Sequence, residues 1–242
     1  MFIKFFYIKT LLVNMVIKMK TKTVLYNFLF VVYIISFNSC TADNSIKTII
    51  STPKSHTLIL QPNSKDGKDA LLSSILPSDT INYGNYPTLE IICWTTGGVL
   101  NINRALIEFD LSSIPVQAII DSSFISLFFG SSTNVLLDSH KGDNKMWIQR
   151  VVEPWDESLV TWNTQPKSDT RSTIWIESFN DNTQNYENID ITYLVKDIIK
   201  SKVNYGFIIK LQDESPWRAT VIASSDHPVE ATHPKLIVYY TN

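Results

Sequence analysis

The stretch "NRALIEFDLSSIP" (103–115) decides the fold class, because its apolar side chains recur at every second position. The apolar residues at 105, 107, 109 and 111 fall on one side of an extended chain, and the charged residues at 104, 108 and 110 fall on the other. Leu106 breaks this alternation and predicts either a β-bulge or a strand that is buried on both sides. The stretch therefore predicts a strand in a sheet with at least one buried face.

Short runs of branched and aromatic residues continue on both sides of this strand, separated by Gly, Asn, Asp and Pro. Runs of this kind with frequent turn residues between them are typical of a two-sheet sandwich. We predict ten strands, at 57–61, 68–73, 89–94, 103–111, 123–129, 145–152, 187–191, 206–212, 219–224 and 235–240.

One segment has a helical rather than an extended pattern. In "DITYLVKDIIKSK" (190–202), the apolar residues at 194, 195, 198 and 199 share one face of a helix. Asp190 or Thr192 can cap its start, and Asn204 and Gly206 follow its end. The sequence therefore predicts an all-β fold: a two-sheet antiparallel β-sandwich of the jelly-roll type with one short helix.

The first 40 residues have the three parts of a secretory signal. They contain five lysines and no acidic residue, an apolar run from Val24 to Phe37, and small residues ending at Cys40. We predict a signal peptide over 1–39, with Met19 as an alternative start, and a lipid attached to Cys40. A transmembrane anchor is the competing interpretation, although this apolar run is shorter than the roughly 20 residues that a spanning helix needs.

After this signal, the sequence predicts a tether over 40–57 and one sandwich domain over 58–242. Five of the 21 basic side chains lie in residues 1–40 and none of the 23 acidic ones does, so the exported chain carries about seven net negative charges. Nucleic acid is thereby an unsuitable partner, because its phosphates need a basic surface. We expect a secreted lipoprotein, anchored to a membrane at the cell surface or on its periplasmic face.

No motif for nucleophilic catalysis or for a structural zinc site is present: the chain has no G-x-S-x-G and no C-x-x-C. Cys93 lies in the apolar run "EIICW", which predicts an inert buried thiol. "NSKDGKDA" (63–70) offers Asp66 and Asp69 to calcium, but without the spacing of an EF-hand loop. We expect a polar hairpin turn at Asp66-Gly67 and no resident metal or cofactor, with calcium as the alternative.

Six blocks of the chain, in order across residues 58–241, resemble those of a known family. They are "GKDALLSSILPSDTINYGNYPTLEI" (67–91), "NRALIEFDLSSIP" (103–115), "QRVVEPWDESLVTWNTQP" (149–166), "IDITYLV" (189–195), "NYGFIIKL" (204–211) and "ASSDHPVEATHPKLIVYY" (223–240). The family is that of the DNRLRE domains. The resemblance implies a secreted β-sandwich module of the carbohydrate-binding type, and some members of the family are classed as modules for alginate-type polymers.

Within these blocks, "PWDESLVTWN" (154–163) allows three interpretations: the carboxylate pair of a glycosidase, an aromatic platform for sugar, or a structural corner. The spacing of Trp155, Glu157 and Trp162 recurs in the family that the chain resembles, which suits a corner where a strand ends. Burying a large apolar side chain contributes about 2–3 kcal/mol. We therefore expect Trp155 and Trp162 to be structural, with Glu157 and Asn163 bonded to turn amides.

The resemblance implies a non-catalytic surface module that binds a polysaccharide or another glycan. A structural or adhesive protein without a glycan ligand is one alternative, and a polysaccharide lyase or glycosidase is another. Sugar contacts need exposed rings, for which Trp147 and Trp217 are the first candidates and Trp94 the third. Arg218 lies beside Trp217, where it could meet a hydroxyl or a carboxylate. The alternation of "KMWIQRVV" predicts that Trp147 and Gln149 point outward.

We predict cleavage before Cys40 and acylation of its thiol, because a basic, an apolar and a small-residue segment end at "NSC" and a polar tether follows. Two or more acyl chains would give stable anchoring. Cys40→Ser is expected to leave the precursor uncleaved, whereas Cys93→Ser should be processed like the parent. Mass spectrometry of the N-terminus checks this. A mature chain that begins at Thr41, or an intact terminus at Met19, would contradict the prediction.

Overall fold

The computed structural model describes residues 52–131 and 138–242. Over these ranges the chain forms one α-helix, α1 (Thr192–Ser201), and eleven strands. The strands are β1 (Ser55–Leu60), β2 (Lys68–Ser73), β3 (Thr88–Thr96), β4 (Val99–Glu108), β5 (Ile119–Leu127), β6 (Met146–Val151), β7 (Ser168–Ile176), β8 (Tyr186–Asp190), β9 (Phe207–Leu211), β10 (Arg218–Ala223) and β11 (Lys235–Thr241).

The strands form two antiparallel sheets. The smaller sheet has the order β1-β11-β5-β8, and the larger has the order β10-β3-β4-β9-β6-β7, with β2 paired to β4. The main core fills the space between them, and its members come from both sheets and from α1. The predicted all-β sandwich with one short helix is therefore confirmed.

Strand β4 is buried on both of its faces. Ala105 and Ile107 belong to the main core, whereas Leu106 between them belongs to a second apolar cluster on the opposite face. The pairing of β2 with β4 runs through Leu106 without a shift in register. Of the two alternatives for Leu106, burial on both faces is right and a bulge at this residue is wrong.

The segment between β6 and β7 forms a corner that covers this second face of β4. Trp155 in the corner is 9% exposed and packs in the second cluster. Its Nε1 donates a hydrogen bond of 2.9 Å to the carbonyl oxygen of Tyr205, and Lys68 Nζ lies 4.5 Å from the centre of its ring. Trp162 is half-buried at the edge of the same cluster. Trp155 thus fills a core position, as the corner interpretation expected.

The polar contacts of the corner differ from those expected. Glu157 Oε1 accepts a hydrogen bond of 2.7 Å from the backbone N–H of Asp69, which belongs to strand β2 and not to the turn. Asn163 Nδ2 donates to the Asp79 carboxylate at 3.0 Å. The prediction that both side chains bond turn amides was wrong, because they connect the corner to other segments instead.

The sequence analysis also missed one strand and assigned one turn wrongly. Strand β7 was not predicted, because most of "SDTRSTIWI" (168–176) is polar and shows no apolar alternation. Asp66-Gly67 lies at a turn, but the turn is not a hairpin. It joins β1, which pairs with β11 in the smaller sheet, to β2, which pairs with β4 in the larger sheet.

Cys93 has no exposed surface and lies in the main core, where burial raises the pKa of its thiol. This agrees with the expected inert thiol. No helix in residues 52–131 or 138–242 is long and apolar enough to span a membrane. The predicted signal peptide and Cys40 fall outside the described residues, as does most of the tether.

We expect Trp155→Ala to lower the free energy of unfolding by about 3–5 kcal/mol, because it removes a buried ring and leaves a cavity against β4. Urea unfolding measures this change. Leu159→Ala is the matched control, since Leu159 lies in the same corner and is 70% exposed. It should cost less than about 0.5 kcal/mol. A loss below about 1 kcal/mol for Trp155→Ala would contradict the structural role of the ring.

Candidate functional site

Two pairs of tryptophan rings lie on the larger sheet, and each combines a half-buried ring with an exposed one. In the first pair, Trp147 of β6 meets Trp175 of β7 with ring centres 5.6 Å apart and planes at 79°. In the second, Trp94 of β3 meets Trp217, with centres 5.2 Å apart and planes at 88°. Trp175 is 63% exposed and Trp217 is 57% exposed. Each pair therefore offers a supported aromatic surface to solvent.

The first pair follows from the alternation of β6. Met146 and Ile148 point into the main core, so Trp147 lies on the opposite side of the sheet. Trp147 is directly opposite Trp175 on one neighbouring strand and opposite Lys210 on the other. Lys210 Nζ lies 5.5 Å from the centre of the Trp147 ring. Lys210, Trp147 and Trp175 thus form one cross-strand row.

Gln149, two residues further along β6, shows how much of this face is covered. It was predicted to point outward with Trp147, but it is only 2% exposed. Its side chain donates to Thr173 Oγ1 at 2.9 Å and accepts from Ser168 Oγ at 2.9 Å. The outward surface of β6 is therefore limited to the region around Trp147, which is itself half-buried.

The charges next to the row are distributed unequally. Arg104 Nε and Nη2 donate to the Glu214 carboxylate at 2.7 and 2.8 Å, and Nη1 donates to Gln165 Oε1 at 2.8 Å. The Arg104 guanidinium also lies 4.7 Å from the centre of the Trp162 ring. Lys210 has no ion pair within the described part of the chain. Of these two cations, Lys210 is the one with an uncommitted charge.

The environment of Lys210 also makes its charge costly. Burial and the nearby Arg104 guanidinium lower the pKa of the Lys210 ammonium, while Glu214 acts in the opposite direction. A ligand carboxylate placed beside Lys210 would favour the protonated form and offset this cost. The row is therefore suited to a ligand that combines an apolar sugar face with a negative group.

The second pair depends on the loop between β9 and β10. Trp217 has a positive φ of 74° and donates its backbone N–H to the Cys93 carbonyl at 2.9 Å. Arg218 Nη2 pairs with Asp213 at 2.8 Å. Its Nη1 donates to the Ser215 carbonyl at 3.0 Å and also contacts the Ser215 hydroxyl. The guanidinium of Arg218 is thus engaged with its own loop and holds that loop in place.

The structure therefore groups the predicted site residues differently from the sequence. Trp94, Trp217 and Arg218 lie together, and the Arg218 guanidinium contacts Asp213 and Ser215 of its own loop. Trp147 lies with Trp175, a residue that sequence reasoning missed because it missed strand β7. The final "TIWI" of β7 has the alternation of a strand and was the available signal.

The acidic residues of the corner are poor candidates for catalysis. Glu153 accepts hydrogen bonds from Lys167 Nζ at 2.7 Å and from the Lys167 amide at 3.0 Å, which lower the pKa of its carboxyl. Asp156 accepts from the hydroxyl and the amide of Ser158, with the same effect on its pKa. A glycosidase needs one carboxyl group whose pKa is raised so that it can donate a proton. Neither residue meets this requirement.

A cluster of three carboxylates does have raised pKa values. Asp69, Glu157 and Asp226 each offer a carboxylate oxygen, and these atoms all lie within 4.8 Å of one another. Burial raises the pKa of Asp69 to about 7, and burial also raises the pKa values of Glu157 and Asp226. Asp69 is only 1% exposed, however, so a polysaccharide cannot reach it. Acid–base chemistry on a glycan is therefore not supported by this cluster.

A groove of about 350 Å³ lies elsewhere, between α1 and the segment that follows β4. Its lining includes Asp110, Ile114, Val116 and Ile198, and it has no aromatic side chain. Without a ring to stack against a sugar, this groove is less suited to a glycan than either tryptophan pair.

Comparison with protein families finds a match. The sequence profile of carbohydrate-binding module family 96 matches residues 63–240. Comparison with curated proteins finds no match. The matched segment contains both tryptophan pairs and the three clustered carboxylates.

Proposed function

The chain belongs to carbohydrate-binding module family 96, and from this premise we propose that it is a non-catalytic module that binds a polysaccharide through its two tryptophan pairs. The observation that supports this most directly is the exposure of Trp175 and Trp217, each braced by a second ring. We retain the DNRLRE assignment as the finer part of this proposal. The family match itself supports a carbohydrate-binding module.

Binding energy explains why two pairs are needed. A sugar face that covers one ring removes on the order of 100 Å² of apolar surface, or about 2.5 kcal/mol. Millimolar affinity already corresponds to about 4.1 kcal/mol, before the costs of association. Two exposed rings supply roughly 5 kcal/mol, and a charged contact adds to this. A polymer that reaches both pairs, or one that combines a pair with Lys210, is therefore the ligand that fits.

Lys210 favours a sugar that carries a carboxylate. Its ammonium lies beside the Trp147–Trp175 pair without an ion pair in the described part of the chain, so a uronate stacked on these rings could accept its hydrogen bonds. The resemblance to DNRLRE domains points to alginate-type polymers as the first probe. The exported chain is acidic overall, so its net charge would repel a uronate polymer. The ammonium of Lys210 would supply the local attraction to the polymer.

The location that suits this function is the outer side of a membrane. The sequence of residues 1–40 supports export and a lipid on Cys40, and the tether that follows would keep the module close to the membrane. Under this proposal the protein holds a polysaccharide near the cell, either at the surface or in the periplasm. A structural or adhesive role without a glycan is the alternative that the binding experiment distinguishes.

We expect Trp175→Ala and Trp217→Ala each to weaken retention on a bound polysaccharide by about 50-fold, which corresponds to the loss of one sugar-covering ring. The double variant should lose detectable binding. Affinity gels with a panel of neutral and acidic polysaccharides measure this. Tyr193→Ala is the matched control, since Tyr193 is 58% exposed but lies on α1.

The melting temperature of each variant should equal that of the parent, because both rings are exposed and contribute little to stability. This equality is required before a loss of binding is assigned to the rings. If the folded double variant binds as well as the parent, the tryptophan pairs are not the site. If the parent binds no glycan in the panel, the structural or adhesive alternative is favoured.

Lys210→Gln separates acidic from neutral ligands. It is expected to weaken binding to a uronate polymer by about tenfold or more, because hydrogen bonds to charged groups contribute about 1.5–3 kcal/mol. Binding to a neutral polysaccharide, where it occurs, should be unchanged. Lys196→Gln on α1 removes the same charge away from the row and serves as the control. An equal loss in both variants would mean that only net charge matters.

A further inference from the structure

The carboxylates of Asp69, Glu157 and Asp226 come from three separate parts of the fold. Asp69 is the second residue of β2, Glu157 lies in the corner after β6, and Asp226 lies in the loop between β10 and β11. Bringing three negative groups within 4.8 Å of one another is unfavourable unless something compensates their repulsion. Some interaction must therefore compensate the repulsion among these three carboxylates.

The backbone around the cluster is packed closely enough to hold these groups together. A Cβ atom on Gly67 would lie 2.1 Å from Ser225 Oγ, and one on Gly84 would lie 2.2 Å from the Glu157 carbonyl oxygen. Asn82 Nδ2 also donates to that carbonyl oxygen at 2.6 Å. The two glycines allow a close approach that any side chain would prevent, so the cluster is fixed by the fold.

The hydrogen bonds within the cluster leave oxygens without donors. Asp69 Oδ2 accepts from the Ser225 amide at 2.8 Å, but Asp69 Oδ1 is buried and has no hydrogen-bond partner in the described part of the chain. Glu157 Oε1 accepts from the Asp69 amide. The Asp226 carboxylate accepts no hydrogen bond from described residues, and its electrostatic neighbour is His233. An unpaired carboxylate oxygen in a residue that is 1% exposed is costly.

Nearby basic side chains do not donate a hydrogen bond to the unpaired oxygen of Asp69. Lys68 Nζ is bonded to Glu108 at 2.7 Å and lies over the Trp155 ring. His233 directs both ring nitrogens at carbonyl oxygens, those of Pro62 at 3.0 Å and His227 at 2.7 Å. Both side chains are thus held by other partners, and Asp69 Oδ1 remains unsatisfied.

We propose that Asp69, Glu157 and Asp226 bind one calcium ion, which fastens β2, the corner and the β10–β11 loop to one another. The ligand set consists of carboxylate oxygens alone, which hard cations prefer, whereas zinc prefers nitrogen and sulfur. Two oxygens on opposite sides of calcium are about 4.6–5.2 Å apart, and on opposite sides of magnesium about 4.0–4.2 Å. The three oxygens lie within 4.8 Å of one another, which is compatible with the span of a calcium site, and water can complete the coordination.

This inference does not depend on the proposed glycan function, because none of the three carboxylates belongs to a tryptophan pair. It nevertheless affects the same corner. The corner carries Trp155, which covers β4, and Trp162, which lies under the guanidinium of Arg104. Glu157 lies between these two residues in the sequence, so calcium bound to Glu157 would help to hold both rings in place.

The test is the melting temperature of the purified protein in EDTA and in 10 mM calcium chloride, with sodium chloride added to match the ionic strength. For affinities typical of extracellular calcium sites, calcium should raise the midpoint by about 3–10 °C. Magnesium at the same concentration should produce less than half of this shift. The Asp226 side chain accepts no hydrogen bond from described residues, and Asp226→Asn keeps its size while removing its charge. This substitution should abolish the calcium-induced shift in melting temperature.

Asp66→Asn is the matched control, because Asp66 lies three residues before Asp69 but is exposed and outside the cluster. It should keep the full calcium shift. Calorimetric titration with calcium chloride gives a second readout, with one site expected in the parent and in Asp66→Asn, and none in Asp226→Asn. Equal melting shifts in Asp226→Asn and in the parent would overturn the proposal, as would the absence of a calcium-specific heat in the parent.

Discussion

The burial of strand β4 on both faces is the constraint on which the rest of the structure depends. The core between the sheets covers one face, but the opposite face of a sandwich sheet ordinarily meets water. Here the side chain of Leu106 requires a second cover, and the corner with Trp155 provides it. This requirement fixes the course of the chain between β6 and β7. The same course brings Glu157 to the amide of Asp69. On this outer face of the larger sheet, only the parts beyond the corner can be exposed to solvent. The exposed rings of Trp175 and Trp217 lie there.

The sequence predicted those features of the fold that depend on local periodicity. Alternation in "RALIEF" identified β4, and the helical spacing of Leu194, Val195 and Ile198 identified α1. Strand β7 was missed because an edge strand meets water along much of its length and needs few apolar residues. The order of the strands could not be predicted, since it depends on contacts between distant segments. One example is the turn at Asp66-Gly67, which local chemistry assigns to a hairpin but which connects two sheets.

The candidate site was predictable only in part, because its contacts also depend on the pairing of distant segments. The sequence singled out Trp147, Trp217 and Trp94 as aromatic side chains outside the corner, but the rings they meet are set by strand register. Trp147 meets Trp175 because the two residues are directly opposite on β6 and β7. The sequence places Arg218 beside Trp217, but it does not reveal the ion pair between Arg218 and the carboxylate of Asp213. The three clustered carboxylates are separated by up to 157 positions, from Asp69 to Asp226, so no spacing rule could have joined them.

The polarity of β7 has a consequence for the behaviour of many copies of this protein together. The strand is the last in the larger sheet, and an unpaired edge is a template on which another sheet can add strands. Its exposed end carries Asp169 and Arg171, whose side chains are bonded at 2.8 Å, and this contact lowers the pKa of Asp169 to about 2. The Asp169 carboxylate thus stays ionised through mildly acidic conditions, and the exposed guanidinium of Arg171 keeps a hydrated charge on this edge. Two molecules that meet edge to edge would then be less able to join their sheets into one continuous, aggregating sheet.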